Sequence, residues 1–182
     1  MVYNLSIQEA QTLFELATQL HDSINSIEDP DFGKVATSNI LMGLSIELYL
    51  KSFMLAARNE GAVRGHRLDE LFNEFPPIFQ DDMRRNYQAL SGGETLIMLG
   101  FKLSETCPTD RPNSDDDNES FTTLDEAIRS VANIFVTSRY FFEEVNNRDW
   151  AIVTYYYNVA SRIAESIKTT LEKFLAGGFR ES

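Results

Sequence analysis

Glu47 and Lys51 stand four residues apart, as do Arg139 and Glu143, and each pair falls where a helical bundle normally places apolar residues. On a helical wheel Glu47 and Lys51 project between Ile40, Leu44 and Met54, while Arg139 and Glu143 flank a seam from Phe135 to Phe142. Glu before Lys suits an isolated helix and Arg before Glu does not, so helix propensity does not explain the second pair. Partly buried charges need partners. One solution is an ionic network between neighbouring helices, with Tyr140 close by, that fixes their register. The other is a site for a charged ligand. The network is the favoured reading. A second group, Arg64, His66 and Arg67, makes the 57–67 stretch locally positive within an acidic chain and is a candidate for holding an anion. The plainer reading of His66 is a structural residue at the start of a short helix, and of His21 an ordinary exposed helix residue.

Other chemistries are poorly supplied. The single cysteine, Cys107, excludes an internal disulfide and any zinc site built on paired thiolates. A di-iron bundle needs Glu-x-x-His, but the residues three before His21 and His66 are Thr18 and Val63. Asp115-Asp116-Asp117 lacks the alternating ligands and turn glycine of a calcium loop. Neither a Walker-type phosphate loop nor a dinucleotide fingerprint is present. No metal and no cofactor is expected.

The elements that must position these side chains are helices. Leu13, Ala17, Leu20, Ile24 and Ile27 form one stripe behind a capping pattern at Ser6 to Glu9, predicting a helix that ends near Ser26. Asp29-Pro30 opens a second, to about Asn59, with apolar residues around most of its circumference, which suits the middle of a bundle. Ser38, Ser45 and Ser52 repeat every seven positions along it and read as a solvent seam or a close helix contact. A short helix over 67–75 and another over 78–90 follow, separated by Pro76-Pro77. Residues 95–103 fit either a strand or a packed irregular segment. Residues 104–120 hold six acids and one arginine and read as an exposed, mobile acidic loop. Thr123 to Glu126 is a capping box for a helix of roughly five turns. Asp149 caps the last helix, whose stripe runs Ile152, Tyr156, Val159, Ile163, Ile167, Leu171, Phe174. The expected fold is all-α, one domain over 1–182: an antiparallel bundle of four long helices plus short ones.

Composition narrows the setting. The net charge is −12, from 16 basic and 28 acidic residues, which disfavours non-specific DNA binding and anionic membranes. The start shows no signal peptide, and the most apolar stretch, 40–50, is short and holds Ser45 and Glu47. The expected compartment is the cytoplasm. Phe141, Tyr155 and Tyr157 lie off the main seams of the last two helices and suggest a homodimer face.

Three blocks, Ser45-Ile-Glu-Leu-Tyr-Leu-Lys-Ser52, Gly65-His-Arg-Leu-Asp-Glu-Leu-Phe72 and Ser138-Arg-Tyr-Phe-Phe-Glu143, resemble in order the HEPN-like proteins of bacteria. The resemblance covers roughly residues 35–175. It implies an antiparallel helical bundle, often dimeric, in a superfamily found in defence and toxin–antitoxin systems. Many catalytic members are metal-independent ribonucleases carrying Arg, four to six residues, then His. Here seven residues separate Arg58 from His66, one separates Arg64 from His66, and no arginine precedes His21. The expected function is therefore non-catalytic: binding a partner protein encoded nearby, a nucleotide or RNA, within a stress or defence system. The competing expectations are a metal-independent endoribonuclease using Arg139, His66 and Arg64, and a purely structural oligomerisation module.

Overall fold

The computed structural model describes residues 3–25, 32–58, 64–92, 96–102, 120–135 and 150–179. Within them the chain forms α1 (Tyr3–Asn25), α2 (Phe32–Arg58), α3 (Leu68–Asn73), α4 (Pro77–Ala89), β1 (Ile97–Lys102), α5 (Leu124–Ser130), β2 (Trp150–Tyr155) and α6 (Tyr157–Leu175). The fold is all-α in class, six helices packed against one another, with a single antiparallel strand pair among the described residues.

Side-chain contacts give the directions. Ser45 and Ser52 donate to the carbonyl oxygens of Ala17 (2.8 Å) and Ala10 (2.6 Å), so α1 and α2 run antiparallel. Two of the three repeating serines, Ser45 and Ser52, thus make a close helix contact, and Ser38 is buried as well. Asn86 bonds Thr170 and Lys173 bonds Asp82, which sets α4 antiparallel to α6. Phe53 meets Phe174 near the carboxyl ends of α2 and α6, while Asn39 meets Thr154 and Tyr156 near their starts, so those two run parallel. α2 lies at the centre, and Ile46, Tyr49, Leu50, Phe53 and Met54 are all buried. By length and composition its Gly33–Ala57 stretch is also sufficient to cross a membrane, a longer run than residues 40–50 alone; most of it is covered by the other helices.

Three boundaries differ from the sequence reading. α1 begins at Tyr3, so Ser6 falls inside the helix instead of capping it. Residues 97–102 resolve as a strand, and its partner occupies what the periodicity assigned to the start of the last helix. β1 and β2 pair in register from Ile97 opposite Tyr155 to Lys102 opposite Trp150. The segment Trp-Ala-Ile-Val-Thr-Tyr is rich in β-branched and aromatic residues, and a partner strand supplies the ladder that a helix would otherwise make internally. Asn39 closes the junction: its amide donates to the Thr154 carbonyl (2.8 Å) and its oxygen accepts from the Tyr156 N–H (3.2 Å). The helix expected to follow Thr123 is seven residues long, capped as foreseen by the Thr123 hydroxyl on the Glu126 N–H, before a turn at 131–133. Its expected continuation, Ser26 to Pro30 and the acidic loop at 104–119 lie outside the described residues.

Candidate functional site

Glu47 is on the α2 face toward the segment that leads into α3, and only 4% of it is exposed. Its Oε1 accepts from Lys51 Nζ one helical turn later at 2.7 Å. The same oxygen is 3.0 Å from His66 Nδ1, and Oε2 is 3.2 Å from it. Burying the carboxylate without these two partners would cost several kcal/mol on general grounds. Gly65 precedes His66 with φ of +101°, a conformation that side chains rarely adopt, and so turns the chain to bring the imidazole back to α2. The Leu68 N–H donates to the Ala132 carbonyl at 3.1 Å and ties this entry to the 131–135 turn, where Phe135 lies 6.3 Å from the imidazole, ring to ring.

The imidazole itself is open to solvent, its side chain 62% exposed. Its Nδ1 faces Glu47, and its Nε2 makes no hydrogen bond among the described residues. A carboxylate behind Nδ1 sets the tautomer with hydrogen on that nitrogen and leaves Nε2 as the outward acceptor, or as an N–H donor once the ring is protonated. Such a group can hold an anion or move a proton.

The arginines beside it divide. Arg64 is exposed two residues away and has no ion pair among the described residues. Arg67 is engaged elsewhere. Its Nε and Nη2 donate to Asp69 at 3.2 and 2.8 Å, and Glu70 lies 3.3 Å away. The Asp69 hydrogen bonds hold this exposed guanidinium's pKa above its ordinary value. The three-residue anion group reduces to His66 and Arg64, because Asp69 and Glu70 are closer partners for Arg67. Arg139, Tyr140 and Glu143 lie outside the described residues. Among those described, Lys51 and His66 are the partners of Glu47.

The other structured charges were not singled out in sequence. Asp82, nearly buried, accepts from Lys173 (2.7 Å) and Arg85 (2.8 Å). Burial pushes its carboxyl up, but the Lys173 and Arg85 hydrogen bonds win and hold it below the ordinary value. Arg162 is buried, donates to the carbonyls of Tyr87 and Leu90, and lies 4.1 Å over the Tyr87 ring. Arg84 makes a two-pronged bond to Asp125, 2.8 Å on each arm, tying α4 to α5. His21 is corrected outright: it is 1% exposed, with Nε2 3.0 Å from the Ser161 hydroxyl on α6. A signal was present, since Ala10, Ala17, His21 and Ile24 share one buried stripe. No group of three metal-binding side chains occurs among the described residues.

The Arg84–Asp125 pair carries a prediction. The Arg84 hydrogen bond holds the Asp125 carboxyl below its ordinary value, so its contribution is present above pH 4 and lost as pH falls through the lowered value. Both side chains are about a third exposed, which limits the pair to about 1 kcal/mol despite its fork geometry. A double-mutant cycle with Arg84→Ala and Asp125→Ala by urea unfolding should show that coupling at pH 7, and the coupling should shrink as the pH is taken below 4.

Compared with protein-family models, with curated proteins and with solved structures, the chain shows no match in any of the three.

Proposed function

We propose that this chain is a HEPN-like helical-bundle protein that binds the phosphate of a nucleotide or RNA without cleaving it, as a component of a bacterial stress or defence system. One observation carries the reading: a buried carboxylate, Glu47, holds the Nδ1 of an exposed imidazole whose Nε2 is unbonded among the described residues. Lys51 offsets the carboxylate's charge, so Arg64 gives a locally positive edge on an acidic protein, beside an imidazole whose outer nitrogen becomes an N–H donor when the ring takes up a proton. Two N–H donors on a locally positive edge suit a phosphate oxygen pair. Loss of Arg67 to Asp69 keeps the edge small, which favours a terminal phosphate over a long backbone track. Cytoplasmic residence and a homodimer through Tyr155 and Tyr157, whose rings stack 5.8 Å apart, belong to the same proposal.

Calorimetric titration with ATP and with a short single-stranded RNA tests it. Binding should weaken about tenfold in His66→Ala, the worth of one charge-assisted hydrogen bond of about 1.4 kcal/mol. Arg67→Ala should change it little. Equal affinity in the wild type and His66→Ala would refute the assignment. A second reading rests on the same carboxylate–imidazole pair, which is also how a general base is oriented. On that reading the purified protein cuts RNA and His66→Ala abolishes the cutting. The proposal expects intact RNA, because no arginine stands four to six residues before either histidine.

A further inference from the structure

We propose that Ser161 is a reactive nucleophile, activated by His21 and Glu165, that accepts the acyl group of a small activated ester. The three side chains come from two helices, α1 and α6, that meet through this side-chain contact. Ser161 and Glu165 are one turn apart on α6, and His21 reaches them from α1. His21 Nε2 is 3.0 Å from Ser161 Oγ, and its Nδ1 is 3.5 Å from Glu165 Oε1. That Nδ1 is buried and makes no hydrogen bond in this arrangement, so a modest closing of Glu165 gives it its partner. Glu165 is 41% exposed, and its other neighbour, Lys168 Nζ at 3.8 Å on the same oxygen, is a loose ion pair that such a movement can keep or release. Ser161 and Glu165 also line a pocket of about 260 Å³ with Asn158, Arg162, Ser91 and Gly92. A buried imidazole between a hydroxyl that faces a pocket and a carboxylate is the arrangement that activates serine in unrelated folds.

The protonation state suits a base. Burial pushes the His21 pKa below its ordinary value, against the pull of Glu165, so the ring is neutral at pH 7. With its hydrogen on Nδ1 toward Glu165, Nε2 accepts the Ser161 O–H. In the step, Ser161 Oγ bonds to the ester carbonyl carbon while its proton passes to Nε2. The carbonyl carbon–oxygen bond to the leaving group then breaks, and the leaving oxygen takes the proton from Nε2. Water releases the acyl group by the same route, giving its proton to Nε2, from which Ser161 recovers it. Glu165 stabilises the transient imidazolium. Asn158, three residues before Ser161, lines the same pocket and offers an amide N–H to the carbonyl oxygen as it gains charge. The pocket is below the usual range for drug-sized ligands, so the acyl group is short.

A fluorophosphonate probe, which replaces fluoride at phosphorus by the serine oxygen, reads this directly. In the folded wild type the probe should add to the peptide carrying Ser161, and in urea it should not. Labelling and p-nitrophenyl acetate turnover should vanish in Ser161→Ala and fall at least tenfold in Glu165→Gln, with thermal melts of both checked. Arg67→Ala, a surface arginine paired with Asp69 outside both sites, should leave both unchanged. Ser161 unlabelled in the folded protein, labelled equally in urea, or labelled at an unchanged rate in Glu165→Gln would each overturn the proposal.

Discussion

Phe53→Ala is expected to lower the free energy of unfolding by about 4 kcal/mol. Phe53 is fully buried on α2, the helix around which the others pack. Its ring lies 5.0 Å from Phe75, 4.9 Å from Phe79 and 5.3 Å from Phe174, all in tilted arrangements. Those rings come from the turn after α3, from α4 and from α6, so one side chain joins α2 to the α3–α4 junction and to the last helix. Tilted pairs each add a fraction of a kcal/mol beyond area burial. Truncation removes these terms and leaves a void that aromatic neighbours from a turn and two helices cannot all collapse into. Phe53→Leu keeps most of the volume and should lose about half as much. Urea unfolding of both variants gives the comparison, and a loss below about 1.5 kcal/mol for the alanine would mean that this cluster is not central to the bundle.

Gly43→Ala should destabilise by about 2 kcal/mol, although alanine in an open helix interior gains about 1 kcal/mol over glycine. Gly43 is mid-helix in α2, where sequence alone would call it a weakness. An added Cβ there would stand 2.7 Å from Ile134 Cγ2, 2.9 Å from the Phe135 backbone nitrogen and 3.0 Å from Phe135 Cβ. A rotamer change relieves the first contact, but the backbone nitrogen yields only if the 131–135 segment moves as a unit. Overpacking of that kind costs about 3 kcal/mol, which outweighs the propensity gain. The same turn receives the Leu68 N–H and brings Phe135 to His66, so the variant should also disturb the phosphate edge. A melt shifted upward instead would show that α2 and the turn are not in close contact.

The helices were legible because each buries a stripe against neighbours at helical spacing. The burial of Glu47 and Lys51 followed from the wheel, since both sit among Ile40, Leu44 and Met54. The strand pair was not legible. Residues 150–155 continue the heptad-like stripe of the last helix, and only pairing with residues 97–102, some fifty positions away, turns them into a strand. Nor could spacing choose Arg67's partner: locally positive composition pointed to an anion, while the neighbouring Asp69 and Glu70 take the guanidinium first. His66 onto Glu47 is likewise a tertiary event, made by the left-handed turn at Gly65. The α4–α6 pairing of Asp82 with Lys173 spans 91 positions and carries no local signature.

The measurement that tests the phosphate edge most directly is a titration of the two histidine ring signals by proton–carbon NMR with inorganic phosphate, then ATP. The chain has only His21 and His66, so His66→Ala assigns both. The account predicts that the His66 ring signals move in a saturable way with ATP while those of buried His21 stay in place, and that Glu47→Gln weakens the response. Unmoved His66 signals at millimolar ATP, or equal shifts of both histidines, would contradict it.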